Sequence, residues 1–379
     1  MVPTPCIENN IETEKKIEDM NIVDLPNQDI MPPNKIAELA QPIVYTSDET
    51  TAEQSKINTD LFETIFDMAD SGRPRIENLK SIEVENFTES FDANKLAFII
   101  NNIDEIRMRY RPEARDSLSV DKYYLKSTRN ESVGSLNVKY FQVKENSIRG
   151  RLQAYASISG QAMVREVRHT IFDDHYVDID MDNAHPVMTL WFCDKLGIPC
   201  ASIREYVANR EMHIKDVMNA NAGWTRDKVK QLFLSINYGG DKTYKSVGTK
   251  TVFLKQYYKE SADIKQAVCD KFRYFSVETK KVMDEKHKTK NFLGSCMSYI
   301  CCFIENQCLM LIVDLLKKQG IDISKSILCF DGIMIPKSSY KVELLSEIEE
   351  MFASLGIPIK MSRKEMKPID LTKLGYKEG

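Results

Sequence analysis

The stretch that decides the fold is Tyr176-Val177-Asp178-Ile179-Asp180-Met181-Asp182, in which apolar and acidic residues alternate. If this stretch is a strand, its period of two sends the three aspartates to one face and the apolar residues to the other. Three like charges on one face repel unless water or a bound cation neutralises them, and Mg²⁺ prefers carboxylate oxygens. Two interpretations follow: an exposed edge strand whose acids face water, or a cation site.

One more carboxylate lies far downstream in an apolar segment. Residues 327–336 read Ile-Leu-Cys-Phe-Asp-Gly-Ile-Met-Ile-Pro, which places two apolar runs around Asp331-Gly332. Apolar runs around Asp-Gly are a strong hairpin signal. If folding brings Asp331 beside the acidic strand, the carboxylates form the kind of centre that holds two metal ions for phosphoryl transfer.

The composition is that of an ordinary soluble globular protein, with 379 residues, 42% hydrophobic and 28% charged. No run approaches 18 apolar residues, so we expect no membrane span. The first ten residues lack a basic region followed by an apolar stretch, and so no secretory signal is expected. The nine cysteines lack C-x-x-C spacing and are expected to be reduced core residues.

The net charge of −4 conceals an asymmetry between the two parts of the chain. Residues 1–80 hold 16 acidic and 7 basic residues, whereas residues 81–379 hold 40 acidic and 45 basic residues. The composition of the first part predicts an acidic, largely disordered tail or a short tethering segment. The basic excess of the remainder leaves nucleic-acid binding open.

Helical patterns dominate the chain beyond the acidic strand. A helix is expected to start at Pro186 and stop before Gly197, and Ser202 with Glu205 forms a capping-box signature for the next helix. Further helices are predicted over residues 225–239, 254–285, 295–318 and 340–355, and a last strand is predicted over residues 359–361. Helices around a few strands predict an α+β protein with a small antiparallel sheet.

The helix that begins after Thr225 has two distinct faces. Its buried stripe is formed by Val229, Leu232, Phe233 and Ile236. A second face carries residues four apart, which are Arg226, Lys230, Leu234 and Tyr238. The N-terminus of a helix favours the binding of anions through its dipole and free N–H groups, and the two cations add to this, so the face suits a polyphosphate. A solvated basic helix end is the alternative.

These residues resemble the motifs of the family A DNA polymerases. Arg226-x3-Lys230-x3-Leu234-x3-Tyr238-Gly239 is similar to motif B, with Leu234 where those enzymes usually have Phe. Asp180 to His185 resembles motif A, and Phe330-Asp331-Gly332 resembles motif C. Gly150-Arg151-Leu152, followed by Gln161, is similar to the segment before motif A. The pieces occur in the family's order over residues 148–365, and the compact form looks like divergent members carried by viruses and mobile elements.

The resemblance implies a right-hand polymerase fold, with an antiparallel-sheet palm, helical fingers, a reduced thumb and no exonuclease domain. It divides the chain into the tail (1–80), a reduced thumb-like region (81–147) and the palm and fingers core (148–379). Because the segment before residue 148 is too short for a full thumb, a helicase or primase partner is expected. The expected location is intracellular, in the cytoplasm or nucleus of a host cell.

The resemblance also assigns roles to residues. Asp180 and Asp331, with the backbone carbonyl of Met181, would hold two Mg²⁺ ions. Arg226 and Lys230 would bind the phosphates of an incoming dNTP, and Leu234 and Tyr238 would lie against its base pair. The implied activity is template-directed addition of dNTPs to a primer 3′-hydroxyl.

His185 occupies the family's sugar-sensing position, where its bulk implies exclusion of a 2′-hydroxyl. The alternative is a core histidine that caps the following helix. Asp178 and Asp182 either tune the site or are solvated. Four residues are expected at the primer–template: Arg151, Gln161, Glu305 and Asn306.

Two other functions remain open from the sequence. One is an RNA polymerase or primase of the same superfamily, and the other is an inactive polymerase-like scaffold that binds nucleic acid. Motif C departs from the family on both sides of Asp331, at Phe330 and Gly332. The retained aspartates and cations nevertheless favour an active enzyme.

Overall fold

A computed structural model describes residues 86–110, 120–130, 132–141 and 150–377. The predicted acidic tail over residues 1–80 lies outside the described residues, as does part of the predicted thumb-like region.

The described chain combines many helices with small antiparallel sheets, as the α+β prediction requires. The strands are β1 (Phe87–Asp92), β2 (Thr128–Asn130), β3 (Val133–Val138), β4 (Tyr140–Phe141), β5 (Gln153–Ala154), β6 (Tyr176–Met181), β7 (Ile327–Leu328), β8 (Gly332–Pro336) and β9 (Met361–Lys364). The helices are α1 (Ala93–Asn101), α2 (Ile103–Tyr110), α3 (Asp121–Lys126), α4 (Arg165–Phe172), α5 (Ala184–Leu196), α6 (Ala201–Ala220), α7 (Arg226–Asn237), α8 (Asp241–Ser246), α9 (Val252–Lys271), α10 (Arg273–Glu285), α11 (Phe292–Lys318) and α12 (Glu343–Ser354).

The acidic strand lies inside a four-stranded antiparallel sheet of order β7-β8-β6-β9. All six residues of β6 are buried. Asp180 lies opposite Gly332 of β8 and Ser362 of β9, while Asp178 lies opposite Lys364 of β9. The interpretation as an exposed edge strand is therefore wrong, since both edges of β6 are paired.

The predicted hairpin is confirmed. Strands β7 and β8 pair with Leu328 opposite Ile333, and the N–H of Cys329 donates to the carbonyl of Gly332 at 2.9 Å. The left-handed residue of the turn is Phe330, with φ of 62°, and not the glycine. Asp331 consequently stands at the tip of the turn, immediately before β8.

Helix α7 begins as predicted, because the Thr225 hydroxyl accepts from the N–H of Lys228 at 3.2 Å. The capping box at Ser202 is wrong. The N-cap of α6 is Cys200, two residues earlier, and Glu260 of α9 accepts the N–H groups of Ser202 and Ile203 at 2.8 and 3.0 Å. A carboxylate from another helix therefore accepts the N–H of Ser202, which the capping box assigns to Glu205.

Three other predicted boundaries are also wrong. The helical segment 254–285 is two helices that break at Phe272, and helix α5 starts at Ala184, before Pro186. The last strand is Met361–Lys364 instead of 359–361, because the chain pairs with β6 only from Met361 onward. This shift brings Lys364 into the sheet.

Helix α11 is the central core helix. Its 27 residues are long and apolar enough to cross a membrane, with a window of mean hydropathy 1.7, but 89% of that window is buried inside the protein. A mostly buried core helix passes the same test of length and composition. The eight cysteines among the described residues are all buried and free, as expected.

The sheet of order β1-β3-β2 is connected to the segment before α4 through one buried carboxylate. Glu89 of β1 is fully buried and accepts from the Ser159 hydroxyl at 2.5 Å and the N–H of Gly160 at 2.9 Å. Burial raises the pKa of Glu89 to about 7, although these hydrogen bonds oppose the rise.

This carboxyl group predicts a pH dependence of stability. The folded pKa of about 7 exceeds the ordinary value of 4.5, so the native state prefers protonated Glu89. The stabilisation is complete below about pH 4.5 and declines as the pH rises to about 7, by roughly 3 kcal/mol. Glu89→Gln mimics the protonated form at every pH. Urea unfolding at several pH values should show the mutant gaining on the wild type across this window, and a constant difference would refute the assignment.

Candidate active site

Asp180 and Asp331 lie side by side although they come from distant parts of the sequence. Asp180 faces Gly332 across the β6–β8 pair, and the N–H of Met181 donates to the carbonyl of Asp331 at 2.9 Å. Asp180 is only 6% exposed, whereas Asp331 is half-buried. Burial raises the pKa of Asp180 to about 8, and the neighbouring charge of Asp331 adds to the rise. The pair is thus an electrostatically costly arrangement that a cation would relieve.

Gly332 is required by this close approach. A Cβ added to Gly332 would lie 2.4 Å from the carbonyl oxygen of Ile179 and 2.7 Å from Oδ1 of Asp180. Both contacts are far inside van der Waals separation, and one partner is backbone in a buried strand. The glycine that follows Asp331 therefore has a steric reason in this chain.

Gly332→Ala is expected to force β8 away from β6 and to lower the free energy of unfolding by about 1–3 kcal/mol. Gly248→Ala is the matched control, since its Cβ would make only an ordinary contact of 3.4 Å with Asn221. Urea denaturation of both variants checks the prediction. Equal stability of the two variants would contradict the steric reason given for Gly332.

The three acidic residues of the opening stretch have different surroundings. The amino group of Lys364 forms an ion pair with Asp180. Asp178 is buried, and burial raises its pKa against the opposing charge of Lys364. Asp182 is exposed and accepts a hydrogen bond from the Ser362 hydroxyl at 2.7 Å. Lys364 lies beyond the predicted last strand, residues 359–361, so the sequence pattern does not place it at the site.

The donor set of Asp180 and Asp331 fits a hard divalent cation. Both side chains offer carboxylate oxygens, and their mutual repulsion is relieved by positive charge. The backbone of Met181 is hydrogen-bonded through its N–H to the carbonyl of Asp331. The ligand roles of these three residues stay predictions.

Lys230 of α7 lies near this pair. Burial lowers the pKa of Lys230, as does repulsion from Arg210 and Lys364, while the charges of Asp180 and Asp331 oppose the change. Its side chain remains exposed to water. Arg210 of α6 is a further cation that no sequence motif indicates. It follows a kink at Asn209, whose dihedral angles are not helical.

Arg226, the other predicted phosphate ligand, is engaged elsewhere. Its guanidinium donates two hydrogen bonds to Glu211 of α6, at 2.8 and 2.5 Å. Leu234 is half-buried and packs against the hydrophobic core. Arg226 is therefore held by a carboxylate on the helix surface. Lys230, the other predicted phosphate ligand, has no such partner among the described residues, and the charges of Asp180 and Asp331 act on its pKa.

A second group of predicted residues forms a buried network beside the aspartates. Arg151 donates to both oxygens of Glu305, with Nη2–Oε1 at 3.0 Å, and Nε2 of His185 lies 2.9 Å from the same Oε1. Nδ1 of His185 contacts the Tyr238 hydroxyl. The Arg151 guanidinium lies 5.0 Å from the ring centroid of Phe330, next to Asp331. These contacts connect α5, the residue after α7, and α11 to the β7–β8 turn.

Glu305 is ionised inside this network. Burial would raise its pKa, but Arg151 and His185 outweigh burial and hold the pKa at about 2. An ionised carboxylate only accepts hydrogen bonds, so Nε2 of His185 donates to Glu305, while Nη2 of Arg151 lies 3.3 Å from the same Nε2. His185, Cys302 and Glu305 also lie close enough to hold a metal ion, but the Arg151 guanidinium already neutralises Glu305. A cation is disfavoured at that position.

Gln161 and Asn306 are occupied by backbone contacts. The Gln161 amide donates to the carbonyls of Leu152 and Leu328 at 3.2 and 2.8 Å and accepts from the N–H of Ala154 at 3.0 Å. Asn306 accepts from the N–H of Leu152 at 3.2 Å. Both residues hold the segment that carries Arg151 in place, and contact with nucleic acid stays a prediction.

Comparison with known proteins gives a viral relative. Over 246 residues, 63% of this chain, the sequence is 29% identical to the putative helicase V13 of Sputnik virophage, and the chain spans about a third of that protein, 31%. The POL domain of Pol1 from M. smegmatis, in complex with DNA primer-template and dNTP, shares 12% identity with a TM-score of 0.43, over 81% of this chain and 64% of that chain. That score does not establish a common fold. No protein-family model matches the chain.

Proposed function

We propose that this chain is a template-directed DNA polymerase that adds dNTPs to a primer 3′-hydroxyl. The observation that carries the proposal is the convergence of Asp180, Asp331 and Lys230, which come from β6, the β7–β8 turn and α7. Two carboxylates beside an exposed cation suit a reaction in which metal ions and a triphosphate meet. The motif resemblance supports the same reaction independently of the geometry.

Asp180, Asp331 and the carbonyl of Met181 would hold two Mg²⁺ ions. When bound, these ions supply an activated primer 3′-hydroxyl and charge stabilisation for the leaving pyrophosphate. The chain's own part is to keep the two carboxylates adjacent, which the β6–β8 pairing and the close approach at Gly332 accomplish.

Lys230 would neutralise the phosphates of the incoming nucleotide as charge develops on the leaving group. Arg226 would join Lys230 by exchanging its Glu211 partner for a phosphate. That exchange is feasible because both members of the Arg226–Glu211 pair are more than half exposed, and exposed ion pairs are weak. Leu234 would lie near the base, four residues after Lys230.

His185 would select the sugar of the nucleotide. Its imidazole is buried and held between Glu305 and Tyr238, so its position is fixed and not free to yield to an additional hydroxyl. Exclusion of the 2′-hydroxyl, and hence use of dNTPs, follows from that rigidity. Tyr238 would then support the nascent base pair from the end of α7.

In this proposal the β6–β9 sheet is the palm, the helices from α6 to α10 are the fingers, and residues 81–147 are a reduced thumb-like region. The palm and fingers core covers residues 148–379. Arg151 and Glu305 would shape the surface that meets the primer–template, with Gln161 and Asn306 behind them.

The viral relative is named a helicase, yet the 379 residues contain no G-x-x-x-x-G-K-[ST] phosphate-binding motif. The matched region covers 31% of that relative. We therefore propose that helicase activity is not a property of this chain. It would belong to a partner protein, or to the part of the relative that this chain does not match.

A nucleotide-selection assay tests the proposal. The protein is incubated with Mg²⁺ and a primed template, with dNTPs or rNTPs, and separately with an unprimed template. We expect extension that requires the primer and prefers dNTPs. Robust RNA synthesis without a primer would instead favour the RNA polymerase or primase alternative, and binding without incorporation would favour the scaffold.

A further inference from the structure

Lys364 has a position that the proposed reaction does not use. It is the last residue of β9, its side chain is 45% exposed, and its amino group forms an ion pair with Asp180. A lysine that contacts a metal-binding carboxylate competes with a cation for one of its two oxygens, here Oδ2 of Asp180. A divalent ion must therefore displace this contact or accept a weakened ligand.

A second acceptor for Lys364 lies beside the first. The β6–β9 register puts Lys364 directly opposite Asp178, on the same face of the sheet as Asp180. Directly opposed residues in an antiparallel pair have Cβ atoms about 4.5–5.5 Å apart, well within the reach of a lysine. Lys364 is thus positioned to contact either carboxylate.

Asp178 is available for this contact. Asp178 is 4% exposed, and among the described residues no hydrogen bond to its carboxylate is found. Its basic neighbours are Lys364 and Arg168, whose charges oppose the rise in its pKa, and Nε2 of His169 lies 3.9 Å from its Oδ2. Burial lowers the pKa of His169 to about 4, so this imidazole is neutral near pH 7. A buried carboxylate without a hydrogen bond favours the arrival of a charge-assisted donor.

We propose that Lys364 is an internal counter-ion that pairs with Asp180 in the metal-free protein and transfers to Asp178 when a divalent cation binds. The inference rests on the proposed function, since it assumes a metal site at Asp180 and Asp331. The transfer keeps the aspartate cluster partly neutralised in both states. It also sets a threshold for metal binding, because the ion competes with Lys364.

Mn²⁺ affinity tests this proposal without any catalytic readout. Electron paramagnetic resonance titrations at low ionic strength measure free Mn²⁺ for the full chain and its variants. Lys364→Met is expected to bind Mn²⁺ about fivefold more tightly, because the competing ion pair is gone. Lys360→Met is the matched control for net charge, since Lys360 pairs with Glu349 and not with the aspartates. Unchanged or weaker binding by Lys364→Met would overturn the proposal.

Asp178→Asn separates the transfer from a simple charge effect. In the wild-type background it removes the second acceptor and is expected to weaken Mn²⁺ binding by about fivefold. In the Lys364→Met background the same change should have much less effect, because no lysine needs a new partner. Equal weakening in both backgrounds would show that Asp178 acts only through its charge and would overturn the transfer.

A separate titration tests the metal site itself. If the wild type binds Mn²⁺ and Asp180→Asn does not, the metal site on which the inference rests is established. Binding that is insensitive to Asp180→Asn would contradict the proposed metal site, whatever Lys364→Met does. Circular dichroism confirms that each variant is folded before titration.

Discussion

Asp331→Asn is expected to abolish nucleotide incorporation while leaving DNA binding largely intact. The substitution keeps the size of the side chain but removes one of the two carboxylates that face each other across β6 and the hairpin turn. Removing a single preorganised electrostatic group costs enzymes about a hundred- to a thousandfold in rate, and loss of a metal ligand is expected to cost at least as much. Single-turnover primer extension measures the rate, and fluorescence anisotropy measures DNA affinity.

Asp182→Asn is the matched control for this experiment. Asp182 belongs to the same acidic stretch, but it is exposed and bonded to Ser362. We expect its rate to stay within a few-fold of wild type. If Asp331→Asn incorporates nucleotides at the wild-type rate, the assignment of the catalytic carboxylates is wrong.

The second large effect is on stability. Glu305→Gln is expected to lower the free energy of unfolding by about 3–5 kcal/mol, the cost of removing one partner of a buried ion pair. Arg151, with a side chain only 17% exposed, would keep its charge without the carboxylate, and one neutral amide oxygen would replace the two charged oxygens that accept from Arg151 and His185. Urea denaturation near pH 7 measures the loss.

Glu347→Gln provides the surface comparison, because Glu347 is exposed and, among the described residues, is hydrogen-bonded only to Gln319. Its effect is expected to stay within about 0.5 kcal/mol. The pKa of Glu305 is depressed to about 2 from 4.5, so its stabilisation is present above about pH 4.5 and is lost as the pH falls toward 2. A loss below about 1 kcal/mol near pH 7 would show that the Arg151–Glu305 pair does not stabilise the fold.

Local sequence patterns predict the parts of the site whose structure depends on residues adjacent in sequence. The alternation around Asp180 predicts a strand, Asp331-Gly332 predicts a hairpin, and Thr225 predicts the start of α7. These features follow from backbone geometry within a few residues. Glu305 is predicted to lie at the primer–template, and the structure places it in the buried network with Arg151 and His185.

Long-range partners were beyond the reach of such patterns. Glu260 accepts the N–H of Ser202 at the start of α6, and Glu211 engages Arg226, because helices distant in sequence pack together. The end of the last strand depends on its pairing with β6, which no local signal reports. Lys364 was overlooked for that reason, although it contacts the central aspartate.

Template-directed incorporation of a single nucleotide is the most direct test of the central claim. A primed template with one unpaired base next to the primer is mixed with the wild-type protein, Mg²⁺ and each dNTP separately. We predict that the primer grows by one nucleotide only with the complementary dNTP, and that chelation of Mg²⁺ or Asp180→Asn stops the reaction. If folded wild-type protein binds the primed template and Mg²⁺ but none of the four dNTPs extends the primer, the proposed polymerase activity is contradicted.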